Sequence, residues 1–270
     1  MLTLNCWNVI EPYEPRMELI RRGIEALRPD VVGLQEIIVR RDGFDQAARI
    51  FAGLGYRWEF GPAMRFNRDG SALPVDADGD AFGNVVASRW PIVRSRVHPL
   101  PGVESGERRS AIAAVIESPS GLLPFISTHL NWKYHHGVIR ERQVVALVDF
   151  VGEWSLGVPL PPILVGDMNA DPDSAEIRFL CGLQRLDGRS AYFQDAWRVT
   201  GNAGPGFTWD NRNTYAHLAF EPNRRIDYVF VGLGDGSGRG WIESARVVLD
   251  EPVGGVFPSD HFGMLAEVQI

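Results

Sequence analysis

The sequence predicts an α/β fold, in which short apolar strands alternate with amphipathic helices. Apolar side chains recur at helical spacing after Arg16, at Met17, Ile20, Ile24 and Leu27. Short apolar runs at residues 31–34 and 163–166 stop at turn residues, which is typical of buried strands. The sequence has no internal repeat, low-complexity tail or clear linker, so we expect a single domain over residues 1–270.

In the first part of the chain, strands and helices are predicted in turn. We expect a strand at residues 2–9, a helix that begins at Arg16 and breaks at Pro29, a strand at 31–34 and a helix at 45–54. Residues 62–83 are rich in Asp, Asn and Gly and predict a solvated loop. No glutamate follows the aspartates at the distance that an EF-hand calcium loop needs. A loop of this length can also contact substrate.

The rest of the chain continues the alternation. We expect a strand at 84–88, a hairpin of 111–116 and 123–128, a helix at 140–151, the strand at 163–166, a helix at 174–180 capped by Ser174, and strands at 207–209, 226–231, 245–249 and 265–270. All of these elements are short, as expected when strands and helices pack in layers.

Composition limits the functional classes. Hydrophobic residues make up 45% of the chain, which is enough for a substantial core. No stretch is long and apolar enough to cross a membrane, and two cysteines are too few for a disulfide framework or a zinc cluster. The net charge of -7 disfavours long nucleic acids, although a local basic groove would still permit them. We expect a cytoplasmic monomer.

Polar residues suited to metal or proton chemistry follow the apolar strands repeatedly. They are Asn8, Glu36, His129, Asn131, Asp167, Asn169, Asp227, Asp260 and His261. Each has an ordinary alternative, such as a turn, a cap, a core histidine or a surface ion pair. Strand ends at one edge of packed sheets converge on a pocket, so the repeated pattern favours a shared site.

The chemistry of these groups suggests roles. Asp167 and Asn169 lie on the same side of a strand end, where a carboxylate and an amide can hold a water molecule. The alternative is an Asx turn that closes the strand. Oxygen ligands from Asn8, Glu36 and Asp260 suit magnesium or manganese, either of which can polarise a phosphoryl oxygen.

His261 can point at a substrate while the adjacent Asp260 contacts a metal. Asp227 is the candidate carboxylate that would hold His261 in one tautomer and orientation. General acid–base catalysis of this kind is worth roughly a hundred- to ten-thousand-fold in rate.

At these residues the sequence resembles the endonuclease/exonuclease/phosphatase superfamily, whose relatives include pancreatic deoxyribonuclease, exonuclease III-type abasic endonucleases, neutral sphingomyelinases and inositol polyphosphate 5-phosphatases. The matching pieces are residues 7–8, 34–36, 83–89, 128–130, 166–169, 225–228 and 259–261. They follow the family's order along nearly the whole chain. The resemblance implies a four-layered α/β/β/α sandwich of two packed mixed sheets, and magnesium-dependent phosphoester hydrolysis by in-line attack of water.

The resemblance also implies roles for individual residues. Asn8, Glu36 and Asp260 resemble the metal end, Asp167 with Asn169 resembles the group that orients or activates water, His129 resembles a phosphate-contacting or acid group, and His261 with Asp227 resembles the second histidine–carboxylate pair.

Other residues near these motifs have two interpretations. Arg109 resembles an arginine that contacts substrate phosphate in some members, or it is a surface arginine beside Arg108. Asn131 and Lys133 can contact a substrate head group, or they belong to a polar loop before the next helix. The abasic endonucleases carry an aspartate where this chain has Ile10, so their metal site and substrate are not expected.

Three functions follow, of which the first is favoured. It is Mg²⁺-dependent hydrolysis of a small-molecule or lipid-derived phosphodiester or phosphomonoester, with Mn²⁺ as an alternative ion. The second is a nuclease or nucleic-acid end-processing phosphodiesterase, which the net charge does not favour. The third is a non-catalytic binding module that keeps the fold. Substrate specificity is expected to depend on residues 62–83, 132–137 and 209–221, because fold alone does not choose a substrate.

Overall fold

Two β-sheets pack face to face, and helices cover both outer faces. A computed structural model describes residues 1–67, 69–74, 77–234 and 236–270. One apolar cluster lies between the sheets, and a further cluster lies between each sheet and its helices. This arrangement confirms the four-layered α/β/β/α sandwich that the resemblance implies.

Strands and helices alternate along the chain as the sequence predicts. The strands are β1 (Leu2–Asn5), β2 (Val31–Val39), β3 (Arg57–Phe66), β4 (Ala72–Leu73), β5 (Asp80–Ser88), β6 (Ile92–Leu100), β7 (Arg109–Ser118), β8 (Gly121–His129), β9 (Ile163–Asp167), β10 (Gln194–Asp195), β11 (Asp227–Val231), β12 (Ile242–Val248) and β13 (Gly263–Val268). The helices are α1 (Tyr13–Leu27), α2 (Gln46–Phe51), α3 (Gly137–Trp154), α4 (Ala175–Leu180), α5 (Ala196–Val199) and α6 (Thr214–His217). Within the part of the chain that the structure describes, no helix has the length and apolar character that a membrane crossing requires.

The two sheets are mixed. The seven-stranded sheet has the order β12-β13-β1-β2-β5-β3-β4, and the six-stranded sheet has the order β10-β11-β9-β8-β7-β6. The pairs β1–β2 and β8–β9 are parallel, and the other pairs are antiparallel. Strand β1 therefore lies between the last strand of the chain and an early one, so residues from both ends of the chain meet at its end.

Alternation along each strand divides its side chains between two apolar layers. In β9, Leu164 packs under α3 and α4, whereas Val165 faces the other sheet. The sheets approach closely at Gly33, where a Cβ would lie 2.4 Å from the Val165 side chain. This glycine therefore sets the spacing of the two sheets near their polar edge.

Several predicted elements are wrong or incomplete. Half of residues 62–83 lie in strands, because β3 continues to Phe66, β4 follows, and β5 begins at Asp80. Three residues of that segment lie outside the described part: Arg68, Val75 and Asp76. Local composition suggested a loop, but long-range pairing between β3 and β5 determines the conformation. Residues 207–209 form no strand, since Trp209 makes only one isolated bridge, to Arg224.

We expect Gly166→Ala to lower the free energy of unfolding by about 2 kcal/mol or more. Gly166 has a φ of 148°, and an added Cβ would lie 1.9 Å from the backbone oxygen of Thr128. Equilibrium urea unfolding measures the loss. The matched control is Gly152→Ala on α3, where nothing lies within 4 Å, and there we expect a gain of about 0.5–1 kcal/mol. Equal stability of the two variants would contradict this account.

Candidate active site

A cavity of about 340 Å³ opens where the polar strand ends of both sheets meet. Its lining residues are Asn5, Trp7, Asn8, Ile10, Glu36, Phe82, Arg109, His129, Trp132, Asp167, Asn169, Trp209, Glu221, Ile226, Asp260 and His261. Most of the polar residues that follow strands in the sequence are therefore brought together in one place.

The six-stranded sheet supplies a row of three ionisable side chains. The register of β8, β9 and β11 pairs His129 with Asp167 and Asp167 with Asp227. All three are at least 97% buried. Because directly paired residues on neighbouring strands have Cβ atoms about 4.5–5.5 Å apart, the backbone alone brings these groups within reach of one another.

The seven-stranded sheet supplies Asn5 and Glu36. Asn5 ends β1, and its Nδ2 donates to Asp167 Oδ2 at 3.0 Å and to Glu36 Oε1 at 3.4 Å. Glu36 lies at a register shift in β2 and has a φ of 59°, a left-handed conformation that is strained for this residue type. The bulge turns the Glu36 side chain towards the cavity.

The prediction for Asn8 requires a correction. Strand β1 ends at Asn5, not at residue 9, so Asn5 is the strand-end asparagine that bridges Glu36 and Asp167. Asn8 follows in a left-handed turn, and its side-chain oxygen accepts from the backbone N–H of Val9. Asn8 lines the cavity, but its side-chain oxygen points to the backbone N–H of Val9.

Asp167 occupies the centre of the site. Its carboxylate accepts from Asn5 Nδ2 and from the backbone N–H of Asn169 at 2.9 Å. His129 Nε2 lies 3.2 Å and His261 Nε2 lies 3.7 Å from Asp167 Oδ2. Burial raises the pKa of Asp167 to about 6, against the lowering effects of the His261 charge and these hydrogen bonds. A carboxylate with this pKa can accept a proton near neutral pH.

His261 and Asp227 form a buried pair with a 2.8 Å contact between His261 Nδ1 and Asp227 Oδ2. Burial lowers the pKa of His261, but the Asp227, Asp167 and Asp260 carboxylates outweigh it, so that pKa lies well above its usual value. His261 is therefore an imidazolium held in a fixed orientation. The edge-on ring of Trp209, with centroids 5.0 Å apart, packs against it.

His129 contacts Asp167 on the side opposite His261, and it is paired with Arg109. Arg109 Nη1 lies 3.0 Å from His129 Nδ1, and Arg109 is also bound to Glu107. Burial lowers the pKa of His129 well below its usual value, and the Arg109 and His261 charges act in the same direction. His129 is therefore neutral. Arg109 is only 8% exposed and lines the cavity, so the alternative of a surface arginine is wrong.

Glu36 and Asp260 have the donor chemistry that a hard cation prefers. Among the described residues, neither carboxylate has a salt bridge to a cationic side chain. Burial and the nearby Glu36 carboxylate raise the pKa of Asp260 to about 7, against the lowering effect of the His261 charge. Two neighbouring carboxylates without a salt bridge fit a divalent cation as an additional counter-charge.

A second group of possible metal ligands consists of Asp167, Asp227 and His261, whose ligand atoms lie within 4.8 Å of one another. His261 Nδ1 is already bound to Asp227, and its raised pKa makes the ring a cation. The contact with Asp227 and the positive charge favour proton and phosphate chemistry for His261, and Glu36 with Asp260 is the other candidate group for a cation.

Arg16 joins the two backbone segments that lie next to Asn5 and Asp260. This fully buried side chain donates to the backbone oxygens of Cys6, Trp7, Asn8, Ile10 and Pro258. It therefore joins the segment after β1 to the segment before Asp260. Sequence reasoning did not identify Arg16, because its position within an amphipathic helix gives no sign of its partners.

Asn169 lies at the cavity wall with most of the other predicted site residues, whereas Asn131 and Lys133 lie outside the cavity. Asn169 Nδ2 lies 3.0 Å from His129 Nε2 at the cavity wall. Asn131 is fully buried and bonds Ser105 and His136, and Lys133 Nζ donates to the Ser105 carbonyl. Neither lines the cavity. The polar loop folds back onto Ser105 instead, so the structure gives no support to their prediction as substrate-binding residues.

Aromatic residues around the cavity were missed as site residues. Trp7, Phe82, Trp132 and Trp209 line it, and Trp132 is 52% exposed. Three of them come from the segments expected to control specificity, at residues 62–83, 132–137 and 209–221. In the sequence, the available signal was the tryptophan at position 132, which follows the His129 motif closely.

Comparisons with known proteins give a family and a set of similar structures. A sequence model of the Endonuclease/Exonuclease/phosphatase family matches residues 2–261. No curated protein matches the sequence. The human Nocturnin catalytic domain with bound sulfate anion is 22% identical, with a TM-score of 0.71 over 98% of this chain and 90% of that chain.

Two further structures are similar to this chain. An endonuclease/exonuclease/phosphatase from Bacteroides vulgatus is 18% identical, with a TM-score of 0.72 over 99% of this chain and 98% of that chain. D. rerio TDP2 complexed with single strand DNA product is 18% identical, with a TM-score of 0.71 over 98% of this chain and 97% of that chain. At these identities the likeness concerns the fold alone.

We expect Asp227→Asn to lower the pKa of His261 by about one unit or more, because an opposite charge within hydrogen-bonding distance raises a histidine pKa by that amount. NMR titration of the His261 ring in the metal-free protein measures the change. The control is Asp210→Asn, a nearby carboxylate that pairs with Arg212 and should leave the titration as it is. An unchanged His261 titration in Asp227→Asn would contradict the pairing.

Proposed function

The chain belongs to the endonuclease/exonuclease/phosphatase family, whose members are metal-dependent phosphoesterases and nucleases, and from this premise we propose that it hydrolyses a small-molecule or lipid-derived phosphodiester or phosphomonoester with Mg²⁺. The observation that carries the proposal is the position of Asp167 between a neutral and a charged histidine. The buried Asp167 carboxylate thus contacts one neutral histidine, His129, and one cationic histidine, His261.

The side chains have separate tasks in this mechanism. Asp167 orients a water molecule and accepts its proton as the water oxygen bonds to phosphorus and the ester P–O bond opposite it breaks. The His261 imidazolium, held by Asp227, donates to a phosphoryl oxygen on which negative charge builds up. Arg109 and the neutral His129 contact the phosphate from the other side.

Glu36 and Asp260 would hold the divalent cation, and Asn5 orients Glu36 through its side-chain amide. When bound, such a cation polarises a phosphoryl oxygen and neutralises charge on the leaving oxygen. Asn5 also bonds Asp167, so the same amide aligns the metal-binding carboxylate with the carboxylate that receives the proton.

A nuclease or nucleic-acid end-processing phosphodiesterase is the second candidate. The aromatic residues Trp7, Trp132 and Trp209 around the cavity support it, because stacking of a base on an aromatic ring is worth about 1–3 kcal/mol. One similar structure, D. rerio TDP2, is complexed with a single strand DNA product. The net charge of -7 counts against long nucleic acids, so a short or single-stranded end is the form that this candidate would take.

We expect Asp167→Asn to reduce turnover by at least about a hundredfold, because the proton acceptor is lost, while circular dichroism and Mg²⁺ binding persist. Turnover is measured on an aryl phosphodiester, an aryl phosphomonoester, an inositol phosphate, sphingomyelin and DNA, each with Mg²⁺ and with excess chelator. Asp149→Asn, on α3 and outside the cavity, is the matched control and should keep full activity. Activity that survives in chelator would reject the proposal, and silence on every substrate would favour a binding module.

In the metal-free protein, Asp260 and Asp167 contribute stability that is lost as pH rises. Folding raises the pKa of Asp260 from 3.8 to about 7 and that of Asp167 from 3.8 to about 6. Between these values each carboxyl group binds more protons in the folded chain than in the unfolded chain, so the contribution of these two groups to stability decreases from about pH 4 to pH 7. Asp260 would have to lose its proton to hold a divalent cation.

We therefore expect Mg²⁺ to raise the melting temperature more at pH 8 than at pH 6. Differential scanning fluorimetry with and without chelator measures the difference. Glu36→Gln should reduce the Mg²⁺ effect at both pH values, and Glu117→Gln on the exposed end of β7 is the control. A larger Mg²⁺ effect at pH 6 would contradict the assignment.

A further inference from the structure

A second cavity, of about 390 Å³, adjoins the active site on the surface of the seven-stranded sheet. We call it the apolar groove, and its lining residues are Asn8, Val9, Ile38, Arg40, Met64, Phe66, Gly70, Ala72 and Phe82. Strand pairing forms its floor, since the register aligns Ile38 with Phe82 and Phe82 with Met64. In the next row, Phe66 pairs with Ala72. The groove is therefore a continuous apolar surface across β2, β5, β3 and β4.

Phe82 connects the apolar groove to the catalytic cavity. It lines both. Its ring centroid lies 6.5 Å from that of His129 and 6.0 Å from the Arg109 guanidinium carbon. These are the two side chains that contact the phosphate in the proposed function. A group held in the groove would thus lie directly beside a phosphate held in the catalytic cavity.

The chemistry of the groove suits a hydrocarbon. Among the described residues that line it, the one charged side chain is Arg40, whose guanidinium carbon lies 4.9 Å from the centroid of the Phe44 ring. Its side-chain amide, on Asn8, has its oxygen bound to the adjacent backbone. A nucleobase or sugar would leave polar groups without partners there, which is costly, whereas an alkyl chain would lose only its contact with water.

We propose that the apolar groove binds an aliphatic chain attached to the phosphoester, so that the substrate is a phosphoester of a long-chain apolar alcohol or lipid. The proposal rests on the proposed function and specifies the substrate class of the same site. The phosphate lies among Arg109, His129 and Asp167, and the chain extends past Phe82 over Met64 towards Ala72.

Unbranched alkylphosphonates from methyl to hexyl test the proposal. Their carbon–phosphorus bond resists hydrolysis, so they measure binding alone. The measurement is the same whichever side of the scissile ester bond carries the aliphatic chain in the substrate. We expect the inhibition constant against an aryl phosphodiester to fall about fourfold for each added methylene, from ~0.8 kcal/mol per buried CH₂. Equal inhibition by the methyl and hexyl compounds would overturn the proposal, and so would stronger inhibition by a single-stranded oligonucleotide than by hexylphosphonate.

Two substitutions at Ala72 localise the effect. Ala72 is exposed on the edge strand β4, so Ala72→Asp and Ala72→Trp place a charge or a large ring in the groove without changing the core. Each should weaken hexylphosphonate at least about tenfold more than methylphosphonate, because the longer chain must enter the altered groove. Ala203→Asp, at an exposed alanine outside both cavities, should keep the full chain-length dependence. A full dependence in both Ala72 variants would refute the location.

Failure of the inference and failure of the proposed function give different results. Calorimetric titration of the alkylphosphonates with Mg²⁺ measures the chain-length dependence without turnover. Turnover of the aryl phosphodiester without any chain-length dependence would reject the groove and keep the hydrolase. Chain-length-dependent binding without turnover of any phosphoester would support the groove and reject the proposed reaction.

Discussion

The register of three strands is the constraint on which the active site depends. Pairing of β8, β9 and β11 fixes His129, Asp167 and Asp227 in one row before any side chain chooses a rotamer. A shift of one residue would turn each of these groups to the opposite face of the sheet. The packed apolar layers on both faces oppose such a shift. The precision of the site is therefore a property of the sandwich core.

Burial of charged groups is the second constraint, and neighbouring groups of opposite charge offset its cost. Asp167, Asp227 and Asp260 are almost fully buried, and the His261 cation lies among them. Removal of one member of such a group leaves an uncompensated charge, which costs several kcal/mol, roughly 3–5. The same arrangement shifts pKa values in opposite directions, so that one histidine is charged and the other neutral. Two identical side chains thus acquire different chemistry from their surroundings.

The apolar pattern predicted alternating strands and helices and most strand-end residues, because buried strands are apolar and their polar ends stand out, whereas the layered arrangement of two packed sheets was implied by the family resemblance. It missed Asn5, since the apolar and aromatic residues after β1 resemble a longer strand although the backbone turns at Trp7. It misread residues 62–83, whose two ends pair with each other as parts of β3 and β5 although the composition between them is typical of a loop. Asn131 and Lys133 had the right chemistry and motif position, but a loop's direction depends on contacts such as Ser105 that spacing does not encode.

The hydrogen bonds from Arg16 to backbone carbonyl oxygens affect the order in which the site can form. Arg16 joins residues 6–10 to Pro258, and β1 pairs on one side with β13. During synthesis the early strands and α1 emerge long before their partners near residue 260. The long sequence separation also makes this contact a late and slow one in folding. The cavity is therefore incomplete on a growing chain until the residues near 260 have emerged and packed against β1.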